Sequence, residues 1–387
     1  MAPINPQRLQ AQAEMAGLDA LITCTPTNVQ YATGYDTTMF RFLPGPSLAA
    51  IWRKEEQRAT LILPAIRLPS VLDADLDIDL IPYGPSPFLL DANTHPALAE
   101  RLAASAPTLL AGVQQAVRNQ DVRHGRIGLD EGNLSAVHWK IWATALASSA
   151  LEPAAAHWLA ARTIKTEQEV DQMTLALRHL EASIEDSLLA LAAGGSEAEI
   201  NRLIRSCLAL RGGFFGAGAL CVGERGGAVL PPSDVHAAQP GDLVKWDVAG
   251  LFGGYWADTA RTACKGAASS LQRQRFVAVE AAHHALLSAV RPGAIASELY
   301  RIGHSTMAQA GLSAPQMHVG HGIGLDLYEP PLLSPTDETV LVEGMVLCLE
   351  NPIFEIAAGA FTLEDTVVVT ADGCRVLNQT SRSFRTL

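Results

Sequence analysis

Four acidic residues and one histidine lie in apolar or glycine-rich stretches in the second half of the chain. They are Asp247 in KWDVAG, Asp258 in YWADTA, His321 in GHGIG, Glu350 in LCLENP and Glu364 in TLEDTV. A lone charge is costly to bury in such surroundings unless it has a partner. Carboxylates and an imidazole are ligands that divalent cations accept in proteins. The five residues therefore predict one site that holds a pair of divalent metal ions.

The two aspartates are predicted to lie on a β-hairpin whose turn contains Gly253 and Gly254. An antiparallel hairpin places Asp247 and Asp258 across from each other, close enough to share or flank a cation. The alternative is that both are solvated residues near a turn, because acidic residues are usually exposed. Trp246 beside the first aspartate favours burial. On the hairpin alone the two interpretations are balanced.

The other three predicted ligands are also ambiguous when each is taken alone. Glycines on both sides of His321 allow a close backbone approach, but a single histidine is more often a surface or core residue than a ligand. Glu350 follows an apolar run, residues 345–349, that is typical of a buried strand, and Glu364 stands before a similar run. Either glutamate could instead face water at a strand end. The combination of all five residues favours the metal site.

Periodicity predicts alternating helices and strands in the first part of the chain. The expected elements are a helix Leu9–Ala16, strands Ala20–Thr23, Ser47–Trp52 and Thr60–Leu63, a turn at Pro26 and Asn28, and helices Pro96–Ala106 and Ser135–Ser149. This pattern predicts an α/β domain over residues 1–158.

A second domain is predicted over residues 159–387. Thr166 and Glu169 form a capping box at the start of a long amphipathic helix that ends at Gly194. The further helices expected are Glu197–Arg211, Arg273–Val290 and Ser297–Ala310, and strand pairs lie between and after them. Helices and hairpins in this order are typical of an α+β domain.

Composition excludes several partners. The chain has 40 acidic and 28 basic residues, a formal charge of −12 and no basic cluster, so nucleic acid and anionic membranes are not expected partners. No apolar run is long enough to span a bilayer and the first residues do not resemble a secretion signal, so a cytoplasmic location is expected. The six cysteines contain no C-x-x-C pair and are expected to be free, mostly buried thiols.

The motifs in combination resemble the metalloenzymes of the pita-bread fold, which include methionine aminopeptidase, aminopeptidase P and prolidase and have creatinase as a metal-free cousin. The matching stretches are NVQYATG at 28–34, DTART at 258–262, GHGIG at 320–324, ENP at 350–352 and LED at 363–365. The resemblance covers nearly the whole chain. It implies a creatinase/prolidase-type N-terminal domain, a pita-bread catalytic domain and a homodimer.

The resemblance also implies a role for each ligand. Asp247 would chelate one metal ion, Asp258 and Glu364 would bridge two, and His321 and Glu350 would bind the other. The two divalent ions would activate a water molecule for hydrolysis, and Mn²⁺, Fe²⁺, Co²⁺ and Zn²⁺ all suit the ligand set. The implied activity is that of an Xaa-Pro dipeptidase or aminopeptidase on a small peptide or small amide.

Three positions depart from the pattern of proline-directed relatives. Tyr328 stands where these relatives place a histidine, Thr362 stands where they often have an arginine, and His236 is displaced from the usual Pro-His position. We therefore predict altered substrate contacts at Tyr328 and His318, and Glu350 as a proton shuttle. The segment Tyr35–Phe42, which includes Arg41, is either a loop facing the substrate or a partner, or an ordinary surface connection.

These departures leave two further hypotheses open. One is a C–N hydrolase or lyase that uses the same metal site on a small non-peptide metabolite. The other is a catalytically inactive domain used for binding, although four converging carboxylates have no evident purpose in a binding module. Titration with Mn²⁺ or Co²⁺ discriminates the inactive domain from the enzymes.

Overall fold

The computed structural model describes residues 5–54, 58–91, 93, 95–312 and 316–387. The chain divides into two compact units, the first ending at Arg162 and the second beginning at Thr163. The boundary expected from the sequence, between residues 158 and 159, falls inside a helix, Ala155–Thr163. No helix within these described ranges has the length and apolar character needed to cross a membrane.

The N-terminal unit is built around a six-stranded mixed sheet in the order β4-β3-β2-β1-β5-β6. Its elements are α1 Pro6–Ala16, β1 Ala20–Thr23, α2 Pro26–Thr33, a 3₁₀ helix Thr38–Phe42, β2 Ala49–Arg53, β3 Ala59–Pro64, a 3₁₀ helix Ala65–Arg67, α3 Leu68–Leu72, β4 Asp79–Tyr83, α4 Pro96–Ala103, α5 Leu109–Asn119, β5 Arg126–Leu129, α6 Ala136–Ala145, β6 Ala150–Pro153 and α7 Ala155–Thr163. The core lies between the sheet and α5, where Val113 and Val117 pack with Ile22 and Ile51.

The prediction of a turn after β1 is wrong, and several helices and strands of this unit were not predicted. Pro26 and Asn28 lie in helix α2 rather than in a turn. Pro26 stands in the first helical turn, where a missing N–H costs nothing and the fixed φ suits a helix. Strand β4 was missed because it contains Pro82, and β4 lies at the edge of the sheet, where a proline is tolerated.

The C-terminal unit carries a larger sheet together with the helices that pack on it. Its elements are α8 Glu167–Ala192, α9 Glu197–Leu210, β7 Phe214–Val222, a 3₁₀ helix Gly223–Gly227, β8 Leu243–Phe252, β9 Tyr255–Cys264, α10 Ser270–Ala289, α11 Ala296–Gln309, β10 Gly320–Gly322, β11 Glu329–Leu332, β12 Val346–Glu350, β13 Ile353–Glu355, β14 Gly359–Phe361, β15 Glu364–Val369, β16 Cys374–Val376 and β17 Arg385–Thr386. The main sheet runs β11-β10-β12-β15-β9-β8-β7, with β16 beside β15 and β17 beside β9.

Helices α10 and α11 cover one face of this sheet and leave the other face for polar side chains. Leu347 and Leu349 of β12 and Val367 of β15 pack in one apolar cluster with Leu286 of α10 and Leu299 of α11. Successive side chains of a strand point to opposite faces. The residues that alternate with these apolar side chains, including both predicted glutamate ligands, therefore point away from the helices.

Several expected features of this unit are present. The capping box of Thr166 and Glu169 begins α8, and both of its hydrogen bonds are formed. Strands β8 and β9 pair as an antiparallel hairpin across Gly253 and Gly254, which both have positive φ. All six cysteines of the chain are free, and four of them are buried.

Candidate metal centre

The strand register places all five predicted ligands on one face of the C-terminal sheet. Asp247 of β8 and Glu364 of β15 both pair with Ala260 of β9, and Asp258 lies two residues before Ala260 on the same strand. Glu350 of β12 pairs directly with Glu364. Residues paired across strands share a face, as do residues two apart on one strand. Asp247 and Asp258 are therefore diagonal neighbours rather than the directly opposed pair expected from the sequence.

Four side chains converge closely enough to hold one ion. One ligand atom from each of Asp258, His321, Cys348 and Glu364 lies within 4.8 Å of the others, and all four residues are buried. Four ligands of a tetrahedral ion with bond lengths of about 2.0–2.3 Å are about 3.3–3.8 Å apart. The four atoms would therefore need to move by only about 1 Å to share an ion.

His321 is held in one orientation by its own backbone neighbourhood. Its Nδ1 lies 2.9 Å from the carbonyl oxygen of Gly322, which can only accept, so Nδ1–H donates and Nε2 keeps the free lone pair. Burial lowers the pKa of His321 to about 4, so the imidazole is neutral at physiological pH, as a ligand must be. Gly320 has φ +149°, and a Cβ there would lie 2.2 Å from the Cys348 carbonyl oxygen.

The carboxylates repel one another in the absence of a cation. Burial, together with the Asp247 and Glu350 carboxylates, raises the pKa of Asp258 well above its usual range. Glu364 is shifted in the same direction by burial and then by Asp258. Burial and then Asp247 raise the pKa of Glu350 to about 8. Because Asp258 Oδ1 is also buried and has no hydrogen-bond partner among the described residues, this group of donors fits a divalent cation.

Asp247 and Glu350 lie at the edge of the group, each beside a basic side chain. Lys245 Nζ is 3.6 Å from Asp247 Oδ2, and the Lys245 side chain is 1% exposed while that of Asp247 is 29% exposed. His318 Nδ1 lies 3.5 Å from Glu350 Oε1. The Lys245 ammonium is also the charge that lowers the pKa of Glu350 against the effect of burial.

A cavity of about 560 Å³ opens onto the carboxylates and is lined on its wall by His318 and Tyr328. The Tyr328 ring stacks on the His321 ring, with centroids 3.8 Å apart and an interplanar angle of 21°. Burial and then the Glu350 carboxylate raise the pKa of Tyr328, so its hydroxyl stays a neutral hydrogen-bond donor. The next residue, Glu329, forms a buried ion pair with Lys165 at 2.8 Å, which fixes the start of β11.

The opposite face of β15 carries a buried polar cluster that supports Glu364. Asp365 accepts from Arg261 at 2.6 Å and from His283 Nε2 at 2.9 Å, and it also contacts Arg382. Arg261 also donates to the backbone carbonyl of Glu364. Burial alone would raise the pKa of Asp365, but the His283 hydrogen bond and the Arg261 charge lower it. Asp365 is therefore a stable carboxylate that ties β15 to β9 and α10.

Two residues near the ligands, Cys348 and Lys245, were not singled out from the sequence. Two positions that differ from the family pattern, His236 and Thr362, are not among the residues that line the cavity. Cys348 was taken for a buried apolar strand residue, although its place two residues before Glu350 puts it on the same face. Lys245 likewise lies two residues before Asp247 on β8 and therefore on the same face. His236 lies 3.6 Å from Asp242 and does not line the cavity. Thr362 is buried and donates its backbone N–H to Thr262 Oγ1.

Comparison with known proteins gives the same two-part division. Residues 154–371 match metallopeptidase family M24, and residues 6–164 match the creatinase/prolidase N-terminal domain. An Xaa-Pro dipeptidase of Pyrococcus furiosus is 30% identical over 227 residues, which are 58% of this chain and 65% of that protein. An Xaa-Pro dipeptidase of Lactobacillus delbrueckii subsp. lactis is 23% identical over 99% of both chains.

Solved structures show the same fold. The Xaa-Pro dipeptidase from Bacillus anthracis superposes with a TM-score of 0.80 at 19% identity and covers 99% of both chains. The pita-bread resemblance and the expected fold class, an α/β N-terminal domain followed by an α+β catalytic domain, are confirmed. The family match spans more than half of the residues of this chain, which therefore belongs to metallopeptidase family M24.

Proposed function

We propose that this chain is a metal-dependent dipeptidase that cleaves Xaa-Pro dipeptides and uses two divalent ions. The observation that carries the proposal is the convergence of buried ligand atoms of Asp258, His321 and Glu364 within 4.8 Å of one another. The names of the relatives, which are Xaa-Pro dipeptidases, support the choice of substrate.

The ligand roles are those that the family resemblance implies. Asp247, whose side chain is 29% exposed, would hold one ion, His321 and Glu350 would hold the other, and Asp258 and Glu364 would be shared. Bound divalent ions supply a Lewis acid and a water molecule of lowered pKa. Manganese, iron, cobalt and zinc are all compatible with these carboxylates and the imidazole.

Glu350 is the residue that moves a proton. A carboxylate oxygen of Glu350 accepts the proton of the attacking water and passes it to the leaving nitrogen. The pKa of about 8 in the metal-free protein shows how strongly its surroundings favour the protonated form. Bound cations would lower the pKa of Glu350 again, toward the range in which its carboxyl can both accept and release a proton.

Tyr328 and His318 orient the substrate. Both line the cavity above the carboxylates, and their rings lie edge to face with centroids 5.8 Å apart. The neutral Tyr328 hydroxyl donates a hydrogen bond to a carbonyl or carboxylate oxygen of the substrate. A cavity of about 560 Å³ has the size expected for a small ligand such as a dipeptide.

We also propose that the chain forms a homodimer, as the family resemblance implies. Met39, Phe42 and Leu43 in the N-terminal unit are 58%, 66% and 51% exposed. Neighbouring exposed apolar side chains are typical of protein contact surfaces. Light scattering after size-exclusion chromatography is expected to give twice the 41.1 kDa chain mass, and a single chain mass contradicts the dimer.

The central test combines metal binding with a substrate panel. Purified protein is stripped of metal, reloaded with Mn²⁺, Co²⁺ or Zn²⁺ and assayed on Ala-Pro, Ala-Ala and a non-peptide amide. We expect Ala-Pro to be the preferred substrate, and we expect Asp258→Ala and Glu364→Ala to lose both metal and activity. Asp372→Ala, at an exposed acidic residue between β15 and β16, is the control and keeps both. A wild-type protein that binds no divalent ion, or variants at Asp258 and Glu364 with full activity, would falsify the proposal.

The same assay separates the rival hypotheses. Turnover of the non-peptide amide with none of the dipeptides supports a C–N hydrolase, and the absence of both metal binding and turnover supports an inactive domain. Tyr328→Phe removes only the hydroxyl, so we expect kcat to fall by about 10²-fold while metal content is unchanged. Unchanged kcat in Tyr328→Phe contradicts the substrate-orienting role of Tyr328.

A further inference from the structure

Cys348 belongs to the group of four atoms that could hold an ion, although it is not one of the five ligands that the family motifs suggest. Its sulfur lies within 4.8 Å of ligand atoms of Asp258, His321 and Glu364. The residue is fully buried. Cys348 therefore lies among the ligands rather than in a separate apolar core.

The strand pairing explains why the thiol lies in this place. Cys348 is in the middle of β12, where it pairs with His321 of β10 on one side and with Thr366 of β15 on the other. Its hydrogen-bonding contact with Thr366 Oγ1 is long, at 3.6 Å, and a thiol is a weak donor and a weak acceptor. The thiol also makes a hydrogen bond to the Glu364 carboxylate, and neither of these weak contacts prevents the sulfur from binding a metal ion.

A second observation points to an ion at this position. Asp258 is 7% exposed, and its Oδ1 is buried without a hydrogen-bond partner in the part of the chain that the structure describes. His321 Nε2 is likewise left as a lone-pair donor because Nδ1–H is used by the Gly322 carbonyl. A carboxylate oxygen, an imidazole nitrogen and a thiol sulfur that converge within 4.8 Å form a mixed ligand set for a cation.

We propose that Cys348 binds a metal ion as a thiolate, together with Asp258, His321 and Glu364, and that this ligand makes the centre prefer Zn²⁺ or Co²⁺ to Mn²⁺. The inference rests on the proposed function only for the presence of a divalent ion in this group and does not depend on the substrate. Thiolates favour zinc and other borderline-soft ions, whereas manganese prefers oxygen ligands.

The binding step is a ligand exchange without electron transfer. The S–H bond of Cys348 is replaced by a sulfur–metal bond, and the proton leaves to the solvent.

Cobalt substitution of the full-length protein gives a direct readout of the sulfur ligand. We expect Co²⁺-loaded wild-type protein to show a near-ultraviolet sulfur-to-cobalt charge-transfer band that Cys348→Ser lacks. Cys24→Ser, which removes a buried thiol in the N-terminal unit, is the matched control and keeps the band. A wild-type protein that binds Co²⁺ without this band, or a Cys348→Ser variant that retains it, overturns the proposal.

Metal competition tests the selectivity. In equilibrium dialysis against Zn²⁺ and Mn²⁺, Cys348→Ser is expected to lose about 10–100-fold in zinc affinity, the range known for disturbed metal sites, and less than about threefold in manganese affinity. Equal losses for both metals contradict selection by the thiolate.

X-ray absorption of the zinc-loaded wild-type protein needs no variant and remains decisive if Cys348→Ser does not fold. A sulfur shell at about 2.3 Å is expected, and a spectrum with nitrogen and oxygen neighbours alone overturns the inference. Failure to bind any metal overturns both this inference and the proposed function, whereas bound zinc without sulfur overturns this inference alone.

Discussion

Lys245 adds a buried positive charge beside a centre that attracts cations. Its Nζ donates to the Val229 carbonyl at 2.9 Å, lies 3.6 Å from Asp247 Oδ2 and stands 5.3 Å from the Phe354 ring centroid. An ammonium so close to a carboxylate neutralises part of the charge that a metal ion would otherwise meet. Lys245 is therefore expected to weaken metal binding on the Asp247 side and to reduce carboxylate repulsion in the metal-free protein.

Replacing Lys245 by methionine removes the charge and keeps a side chain of similar length, so it tests the electrostatic effect on metal binding. Lys245→Met is expected to bind the more weakly held divalent ion about tenfold more tightly, equivalent to about 1.4 kcal/mol, because the competing cation is gone. Calorimetric titration of the metal-free variant measures the change. Lys140→Met, at an exposed position in α6, is the control. Unchanged or weaker binding in Lys245→Met contradicts this electrostatic role.

At the scale of single residues, the sequence singles out the acidic candidate ligands but not the neighbouring Cys348 and Lys245. Each predicted carboxylate is unusual because it stands in an apolar run, and that conflict is visible in the sequence. Cys348 creates no such conflict, since cysteine often behaves as a small buried hydrophobe. Lys245 was passed over because a lysine is almost never fully buried unless it is paired. Only the strand register shows that both side chains lie on the ligand face.

The pairing of β7 with β8 determines where Asp247 stands. The register of these strands shifts between Phe215 and Ala217, and Gly218 then has φ +92°. A Cβ on Gly218 would lie 2.0 Å from the carbonyl oxygen of Asp247. Because the obstacle is backbone rather than a flexible side chain, β7 and β8 must separate to accept any larger residue.

Gly218→Ala is therefore expected to disturb the metal centre by separating β7 from β8. We expect it to lower the free energy of unfolding by more than about 3 kcal/mol and to weaken metal binding. Gly194→Ala is a matched control, because Gly194 has φ +96° but a Cβ there would meet nothing within 4 Å, so only the backbone strain of about 1–2 kcal/mol applies. Urea unfolding and metal titration measure both variants. Equal effects of the two substitutions contradict the contact with β8.

Among the elements, length and regular periodicity determined what could be predicted. Helix α8 spans 26 residues with a capping box, and β8 and β9 span 10 residues each around a glycine turn. These elements were expected from the sequence. Strands β5 and β6, with four residues each, carry too few alternating side chains for a periodic signal, whereas β1, of the same length, was expected from its apolar run and the turn residues after it. Their positions in the sheet depend on pairing with other strands, and β5 pairs with β1, which is distant from it in sequence.

For the whole molecule, metal and pH should act together on stability. Burial and neighbouring carboxylates raise the pKa of Glu350 from 4.5 to about 8 in the metal-free protein, and they raise the pKa of Asp258 and Glu364 as well. A folded carboxyl with a raised pKa keeps its proton when the unfolded chain has lost it. The metal-free fold therefore loses stability as pH rises from about 4.5 to about 8. Bound cations reverse this preference because they require deprotonated ligands.

We expect the difference in Tm between metal-loaded and chelator-treated protein to grow steadily from pH 5.5 to pH 8, a window given by the ordinary and shifted pKa of Glu350. The lowered pKa of Asp365 makes its contribution present throughout this window, and it is lost only at more acidic pH. Thermal unfolding at constant free metal concentration measures the difference. Glu350→Gln removes one titrating group, so the pH dependence of the chelated variant should become shallower. A Tm difference that is constant with pH contradicts a cluster of carboxyls that is protonated without metal and charged with it.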